Sequence, residues 1–416
     1  MTGHRPHVVI VNRWRERYAE YARYLDHEAH RVTYVATEVG LGAIPPEAAA
    51  VALVQKTDDL ESVRDAVRGL AKRFGPPAEI VALKEDDLLV AAELRREWGC
   101  RGQLPEDLIR FRDKHVMYRT VAAAGLTLPA FELVRGVRGV CDFAGVHGWP
   151  VILKPRIGSA SEGVVRADDP GDVVEALHAD TPMLVQAYDP NPVYHVDGLF
   201  AEGRLACWRA SRYINTCLSF RHGSFLGSVE EDDGTLVELI AEASERYLRA
   251  LTDGSTMVHL ELFVDRYAPD GPTCTFLEVG ARVGGGENTF IWREVHGLDL
   301  MEMAFRLQRG LPPLEGVDHG PREDVIAGHL YVPSPLPRPC RITRVTSMLG
   351  RPNGPYAESV PRPGEVLPAA DSYYEHVGGR FRFHGPSTQA VEDAIFATVL
   401  HFQVAGEPVR QEELVS

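Results

Sequence analysis

The stretch Met257–Arg282, with the sequence MVHLELFVDRYAPDGPTCTFLEVGAR, decides the fold. It predicts two β-strands joined by a tight turn at Ala268–Gly271, because apolar β-forming residues flank a cluster of Pro, Asp and Gly. If the turn is centred within this tetrapeptide, the antiparallel register places Glu261 opposite Glu278. Both carboxylates then lie on one face of the hairpin.

The same register places Phe263 opposite Phe276. Because strand side chains alternate, the face with the carboxylates carries His259, Glu261, Glu278 and Arg282. The other face carries Leu260, Leu262, Leu277 and Val279. Directly opposed like charges are unfavourable in a sheet, and a divalent cation such as Mg²⁺ would relieve their repulsion. The alternatives are a solvated acidic face, or a one-residue bulge that puts the two carboxylates on different faces.

Composition limits the class of protein. A chain of 416 residues is expected to form two to four subdomains. Its 44% hydrophobic and 25% charged residues are typical of a soluble globular protein. The formal net charge of -15 and the lack of a basic run argue against nucleic-acid binding, so we expect small molecules or proteins as partners.

Cysteine usage and hydropathy bear on location. The six cysteines are far apart and form no C-x-x-C pair, a pattern that favours reduced thiols over disulfides or a zinc site. The sequence contains no apolar run of the roughly 18 residues that a membrane span needs. It also lacks the apolar region of a signal peptide at its start. We therefore expect a cytoplasmic protein without a membrane partner.

The first hundred residues alternate β-rich runs with helical patterns, which predicts a small parallel sheet covered by helices. The expected strands are His7–Val11, Arg31–Ala36, Ala50–Val54 and Glu79–Leu83. The expected helices are Arg15–His27, Leu60–Phe74 and Asp86–Trp98. No G-x-G-x-x-G follows the first strand, so a dinucleotide site of that type is not expected.

Two lysines stand out, and the context of Lys154 suits phosphate, whereas the sequence alone favours a solvated helix residue at Lys114. Lys154 ends the apolar strand Trp149–Pro155, where burial would require an anionic partner. The small-residue loop Gly158–Gly163 follows and would let backbone N–H groups approach phosphate oxygens. Lys114 begins a helix that ends at Gly125. The alternatives are an ordinary glycine-rich hairpin and a solvated helix lysine.

Three further segments have the composition of functional loops. The turn Pro190–Pro192 follows an apolar strand and suggests a hinge. The stretch Ser219–Val229 is expected to be a loop, either a cover over a ligand or a mobile surface segment. The glycine turn Val283–Asn288 precedes a helix and would seat a carboxylate or phosphate. The segments Pro170–His178 and Thr388–Phe402 are expected to be helices.

Taken in order, these features resemble the ATP-grasp superfamily of carboxylate–amine ligases. The elements are D-K opening a helix, P-V-I-L-K-P before a small-residue loop, a hinge strand, H-x-E-x-F, and E-x-x-x-R-x-G-G. The resemblance covers about Arg112 to Gly310, and the last part of the chain resembles the C-terminal lobe of L-amino-acid ligases. It implies an α/β and α+β fold in which ATP lies between two lobes.

The resemblance also implies a division of the chain and roles for its residues. An N-terminal parallel α/β domain (pre-ATP-grasp domain) would cover residues 1–110, the small lobe 111–190, the large lobe 191–326 and a C-terminal lobe 327–416. The expected contacts with ATP are Lys114 and Lys154 on the phosphates, Gly158, Ser159, Ser161 and Gly163 in the covering loop, and Gln186, Ala187 and Tyr188 beside adenine. The expected ligands of Mg²⁺ or Mn²⁺ are Glu261 and Glu278, and Arg282 would stabilise the reacting phosphoryl group or the tetrahedral intermediate.

The chain departs from the family pattern at two positions. Gly280 stands where many members carry an asparagine that binds metal, and a water or the nucleotide would take that place. Val193 stands where many members carry a glutamate that binds the ribose. His195, or else Asp197, is the expected substitute, and the alternative is an ordinary polar strand face.

The resemblance implies an ATP-dependent ligase that joins a carboxylate, plausibly of an amino acid, to an amine through an acyl phosphate. One alternative is an ATP-grasp carboxylase that uses bicarbonate. Another is a nucleotide-binding protein without catalysis, suggested by Gly280 and Val193. Small-molecule substrates are the expected partners, and both a monomer and a homodimer are compatible with the sequence.

Overall fold

The computed structural model describes residues 5–15, 17–176, 181–369 and 377–409. A four-stranded parallel sheet forms the beginning of the chain, with the strand order β3-β2-β1-β4. Its strands are β1 (His7–Asn12), β2 (Arg31–Ala36), β3 (Ala50–Leu53) and β4 (Glu79–Ala82). The parallel sheet predicted from alternating strands and helices is therefore confirmed.

The prediction of a helix over Arg15–His27 is wrong. Among the described residues of this segment, only Tyr21–Tyr24 is helical, and those before it form turns and loop. The side chain of Asn12 accepts the backbone N–H of Trp14 at 3.0 Å and donates to the carbonyl of Gly40 at 2.8 Å. Such side-chain to backbone hydrogen bonds compete with helix formation and hold this segment as a loop.

Twelve α-helices lie within the described ranges, together with two short 3₁₀ turns at Glu38–Ala43 and Glu85–Asp87. The first six are α1 (Tyr21–Tyr24), α2 (Leu60–Phe74), α3 (Leu88–Trp98), α4 (Pro105–Arg112), α5 (Lys114–Ala123) and α6 (Gly136–His147). The others are α7 (Pro170–Ala176), α8 (Cys217–Arg221), α9 (Gly234–Leu251), α10 (Asn288–Glu294), α11 (Leu300–Gln308) and α12 (Thr388–His401). The expected end of α7 at His178 lies outside the described residues.

A second sheet has four antiparallel strands in the order β5-β8-β6-β7. They are β5 (Phe131–Val134), β6 (Val151–Pro155), β7 (Val165–Ala167) and β8 (Met183–Ala187). Helices α6 and α7 cover one face of this sheet through a small apolar core that includes Val140, Phe143 and Val173. The sheet therefore forms a separate layer that carries Lys154 and the loop after it.

The largest sheet has eight antiparallel strands in the order β13-β12-β9-β10-β11-β14-β18-β16. They are β9 (Val193–Ala201), β10 (Arg204–Ile214), β11 (Leu226–Glu230), β12 (Thr256–Asp265), β13 (Thr273–Gly280), β14 (Ile326–Val332), β16 (Ala357–Ser359) and β18 (Gly379–Gly385). A fourth sheet contains β15 (Cys340–Val345), β17 (Val366–Leu367) and β19 (Val404–Pro408). Helix α9 packs on the β9–β12–β13 part of the large sheet, and α12 packs on its β11–β14–β18 part.

The hairpin register agrees with the prediction at the acidic pair and differs beyond it. Glu261 lies opposite Glu278, but a bulge follows, so Phe263 pairs with Thr275 and not with Phe276. Leu277 is the extra residue of the bulge, and it lines a cleft while Phe276 is fully buried. The expectation that Leu277 fills the apolar face is therefore wrong, because the bulge reverses the side-chain alternation at this point.

The stretch Ser219–Val229 is not one continuous loop. It contains the end of α8 and the beginning of β11, an inner strand of the large sheet that is buried along its length. The small residues that suggested a loop allow close packing: a Cβ atom at Gly227 would lie 3.2 Å from Cβ of Ile214. Only the segment between α8 and β11 remains a loop.

No helix of the described ranges is long and apolar enough to cross a membrane. The six cysteines are all free thiols.

Candidate functional site

Two cavities meet at the acidic hairpin. The large cleft, of about 560 Å³, lies between the second sheet and the large sheet. The second cavity, of about 380 Å³, lies between the large sheet and the N-terminal region. Glu261 and Glu278 line both, as do Ser159, Ser161 and Glu162 of the loop after Lys154. The two carboxylates therefore occupy the boundary at which molecules in the two cavities would meet.

Lys154 lies at the end of β6, where only 2% of the residue is exposed. Its Nζ atom donates to the hydroxyl of Tyr118 at 2.9 Å. Tyr118 also contacts Oε1 of Gln186 at 2.6 Å and the carbonyl of Leu277 at 2.7 Å. Burial disfavours the charged amine and lowers the pKa of Lys154 to about 8. A phosphate in the large cleft would supply the negative charge that favours the protonated form.

Lys114 is the first residue of α5, and Asp113 caps this helix by accepting the N–H groups of His115 and Val116. The Nζ atom of Lys114 donates to the carbonyl of Gly158 at 3.2 Å and lies 3.7 Å from Oε2 of Glu278. The solvated-helix interpretation is therefore wrong, because only 8% of Lys114 is exposed. Helix α5 positions its charge between the glycine-rich loop and the acidic pair.

The loop Gly158–Gly163 covers the cleft with a strained backbone. Gly158, Ser159 and Ser161 line the large cleft. Ala160 and Ser161 have φ angles of 55°, in the left-handed region that costs about 1 kcal/mol or more per non-glycine residue. Gly163 does not line the cleft, but its φ of 67° and a Cβ position 2.9 Å from Cγ of Pro155 require glycine.

The hinge residues are only partly in the expected place. Gln186 and Tyr188 line the large cleft. Ala187 does not, and its N–H donates to the carbonyl of Ala130 at 2.9 Å, so the expected adenine contact through this group is not available. The cleft wall continues instead through Asp189 to Val193.

The acidic pair fits a divalent cation. The carboxylate of Glu261 accepts the hydroxyl of Tyr213 at 3.1 Å and lies 3.3 Å from Nε2 of His259. Burial favours its neutral form, but the hydrogen bond from His259 lowers the pKa of Glu261. The side chain of Glu278 is 37% exposed to the cavities. Two carboxylates at one cavity boundary are a donor set that suits Mg²⁺ or Mn²⁺.

Gly280 ends β13, the strand that carries Glu278, and leaves room for a partly buried ion pair. A Cβ atom at Gly280 would lie 3.2 Å from Cγ of Arg282 and 3.3 Å from Oε1 of Glu85. Arg282 donates from Nε to Oε2 of Glu85 at 2.7 Å, and Arg112 donates to its Oε1 at 2.6 Å. Burial would raise the pKa of Glu85, but the two arginines lower it to about 2. The position of Gly280, where an asparagine side chain was expected to bind metal, is therefore next to an arginine–glutamate pair.

His195 is not brought to the large cleft, so it cannot replace the missing ribose glutamate through its side chain. It is fully buried, with Nδ1 2.5 Å from Asp197 and Nε2 2.7 Å from Ser228. Asp197 also accepts Nδ1 of His259 at 2.8 Å and is 2% exposed, so it too is withdrawn from the cleft. The β9–β12 register brings these groups together, because His195 lies opposite Glu261 and Asp197 lies opposite His259.

His195, Asp197 and His259 could in principle hold a metal ion. Their nitrogen–oxygen distances of 2.5 and 2.8 Å are those of hydrogen bonds, and Asn288 donates to the same carboxylate at 3.3 Å. Imidazole nitrogens are also poor ligands for Mg²⁺. We therefore interpret the cluster as a hydrogen-bond network that holds His259, and through it Glu261.

The second cavity combines groups from distant parts of the chain. Trp14, Glu85 and Asp86 come from the N-terminal region, and Arg282 and Gly284 follow the hairpin. A Cβ atom at Gly284 would lie 1.9 Å from Oδ1 of Asp197, so glycine is needed for the chain to pass over the buried carboxylate. The cavity thus presents both acidic and basic groups next to Glu261 and Glu278.

Sequence reasoning missed Tyr118 and Glu85. Tyr118 is four residues after Lys114, so helical periodicity alone places both on one face of α5. Glu85 belongs to an acidic run that directly follows β4, and the ends of parallel strands are common positions for functional side chains. The contact of Glu85 with Arg282 has no local signal.

No protein-family model matches the sequence. Among curated proteins, the L-arginine-specific L-amino acid ligase of Bacillus subtilis is 23% identical over 271 residues, which cover 62% of this chain and 63% of that protein. The D-alanine–D-alanine ligase of Streptomyces griseus is 30% identical over 106 residues, which cover 23% of this chain and 25% of that protein. The chain therefore spans less than two thirds of either relative.

Among solved structures, the L-amino acid ligase of Bacillus licheniformis superposes with a TM-score of 0.75 at 18% sequence identity. The superposition covers 98% of this chain and 100% of that chain. A likeness of this kind shows a shared fold over nearly the whole length.

Proposed function

We propose that this chain, which has the ATP-grasp fold of the carboxylate–amine ligases, joins the carboxylate of an amino acid to an amine and cleaves ATP to ADP and phosphate. The observation that carries the proposal is the position of Glu261 and Glu278 at the boundary of two cavities. Lysines suited to phosphate line one cavity, and Arg282 lines the other. The names of the related L-amino acid and D-alanine–D-alanine ligases support the same reaction class.

ATP is proposed to lie in the large cleft as a substrate. Lys114 and Lys154 would bind its phosphates, with backbone groups of Gly158, Ser159 and Ser161 above them. Gln186 and Tyr188 would contact the adenine. Gly163 and Ala187 then act indirectly, by shaping the loop and the hinge strand.

Glu261 and Glu278 would hold Mg²⁺ or Mn²⁺, which supplies positive charge next to the transferring phosphoryl group. The carboxylate substrate is proposed to enter the second cavity beside Arg282. Its oxygen attacks the γ-phosphorus of ATP and ADP leaves; the amine then attacks the acyl carbon and phosphate leaves. Arg282 would stabilise the negative charge that develops in these steps.

An acyl phosphate hydrolyses in water, so the proposed reaction needs a covered site. The loop Gly158–Gly163 borders both cavities, and the carbonyl of Ala160 accepts a hydrogen bond from Arg221 of α8 at 3.2 Å. This contact joins the covering loop to α8, the helix between β10 and β11 of the large sheet. We therefore propose that the loop excludes water while the intermediate exists.

We also propose the four-part division 1–110, 111–190, 191–326 and 327–416, supported by the separate N-terminal and second sheets. The large sheet continues through β14, β18 and β16, so the last two parts share a sheet. A cytoplasmic location is proposed from the six free, widely spaced cysteines.

The test is ADP release by the purified protein across amino acids supplied singly and in pairs, with mass analysis of the products. The proposal expects ADP in proportion to an amide product, and loss of both in a folded Lys154→Ala variant. ADP release that requires bicarbonate and no amine would instead indicate a carboxylase. Binding of ATP without turnover on any pair would indicate a nucleotide-binding protein.

A further inference from the structure

Strand β9 presents no acidic side chain to the large cleft where the hinge enters the large sheet. Val193, the first residue of β9, lines the cleft with an apolar side chain. A valine cannot accept a hydrogen bond from a ribose hydroxyl. His195 and Asp197, the next side chains on the same strand face, are buried in their own network. The side chains of Val193, His195 and Asp197 therefore offer no acceptor to a nucleotide in this cleft.

Helix α12 brings a carboxylate to the same cleft from the other end of the chain. Glu392 lines the cleft, and its side chain is 18% exposed. Arg212 of β10 donates to Oε2 of Glu392 at 2.9 Å. Arg212 lies opposite Tyr194, and the β9–β10 ladder ends at this pair. Arg212 therefore holds Glu392 at the end of the β9–β10 ladder, and Glu392 lines the same cleft as Val193, the residue before Tyr194.

The other acidic side chains that line the cleft lie in the acidic pair, the covering loop and the hinge turn. Glu261 and Glu278 form the acidic pair proposed to hold the cation, and Glu162 lies on the covering loop. Asp189 closes the hinge turn by accepting the N–H of Asn191 at 2.9 Å. In the part of the chain that the structure describes, Glu392 uses one carboxylate oxygen for Arg212 and has its second oxygen available.

We propose that Glu392 accepts hydrogen bonds from the ribose hydroxyls of the bound nucleotide, so that the C-terminal helix completes the nucleotide site. The proposal rests on the proposed function, in which the large cleft binds ATP. The ion pair with Arg212 fixes the orientation of the Glu392 carboxylate. Hydrogen bonds to a charged acceptor are stronger than those between neutral groups, so one carboxylate can replace the glutamate absent at residue 193.

The experiment compares binding of ATP and 2′,3′-dideoxy-ATP by calorimetry with Mg²⁺ present. We expect the unmodified protein to prefer ATP by about 10- to 100-fold. Glu392→Gln keeps the size of the side chain and removes its charge, so it should lose most of that preference. The matched control is Asp393→Asn, the next residue of α12, which is exposed and bonds Gln389. The control should keep the full preference.

Two results would overturn the proposal. Equal binding of the two nucleotides by the unmodified protein would mean that no group contacts the ribose hydroxyls. A Glu392→Gln variant that weakens both nucleotides by the same factor would mean that the ion pair with Arg212 only joins β10 to α12. A protein that binds neither nucleotide would contradict the proposed function itself, and the three results are distinguishable in one titration series.

Discussion

The Nε atom of Arg282 donates a hydrogen bond to Oε2 of Glu85 at 2.7 Å, although the two residues are 197 positions apart. Glu85 follows the last strand of the N-terminal sheet, and Arg282 follows the acidic hairpin. Arg112 binds the other oxygen of the same carboxylate. One partly buried glutamate therefore links the N-terminal sheet to the arginine proposed to act in catalysis.

Glu85→Gln should lower both stability and turnover. The buried guanidinium of Arg112 and the partly buried one of Arg282 would lose their charged partner, and breaking a buried pair costs about 3 kcal/mol. Because the folded-state pKa of Glu85 is about 2 and lies below its unfolded value, its contribution is present above the unfolded pKa and is lost as pH falls towards 2.

Urea unfolding from pH 3 to 7 measures this effect. The stability difference between the unmodified protein and the variant should be largest near pH 7 and shrink on acidification. Glu106→Gln, at an exposed ion pair with Arg96, is the control and should change stability little. A constant difference at all pH values would contradict the role of the Glu85 charge.

Glu278→Gln should abolish Mg²⁺-dependent ADP formation, because the proposed cation loses one of its two carboxylate ligands. The melting temperature without metal should hold or rise, since the variant relieves repulsion with Glu261, partly offset by the loss of the Lys114 contact at 3.7 Å. The control is Glu132→Gln, an exposed strand glutamate of β5. Full activity of Glu278→Gln at the usual Mg²⁺ concentration would show that the pair binds no catalytic ion.

ATP binding should take up a proton above pH 8. Burial lowers the pKa of Lys154 to about 8, so the free protein loses this proton at pH 8.5, and the phosphates of ATP favour its return. Calorimetry at pH 8.5 in buffers of different ionisation enthalpy measures the uptake. It should vanish in Lys154→Gln, and ATP affinity of the unmodified protein should fall between pH 7 and 9.5. Affinity that does not change over this range would exclude Lys154 as a phosphate ligand.

Asp197→Asn should destabilise the protein more at pH 6 than at pH 9.5. Burial opposes the charged imidazole, but the Asp197 carboxylate raises the pKa of His259 to about 9. A raised folded-state pKa gives stability that is full below about 6.5 and is lost as pH rises through 9. The variant should therefore lose about 3 kcal/mol at pH 6 and less at pH 9.5. A loss that grows with pH would contradict a charged His259.

The sequence contained the local parts of the site. Glu261 and Glu278 were predicted as an opposed pair because a turn and strand alternation fix the register near the hairpin. Lys154 was found from its position at a strand end, and Lys114 from the D-K pair of the family resemblance. The position of Leu277 was wrong because the bulge after the acidic pair has no sequence signal here.

Contacts between distant segments could not be predicted. The partnership of Glu85 with Arg282 and the position of Glu392 in the same cleft as Val193 depend on how separate sheets and helices pack. His195 was placed in the nucleotide site as the substitute for the family's ribose glutamate. The sequence does not give the depth at which neighbouring strands bury it. The strand at Leu226–Glu230 was missed because its glycine and serine serve close packing of β11.

Transfer of isotopic oxygen tests the central claim most directly. The amino-acid substrate is labelled with ¹⁸O in its carboxylate, and the released phosphate is analysed by mass spectrometry after turnover with ATP, Mg²⁺ and the amine. An acyl phosphate intermediate requires one labelled oxygen to appear in the phosphate for each amide formed. Unlabelled phosphate, or label in AMP, would contradict the proposed reaction.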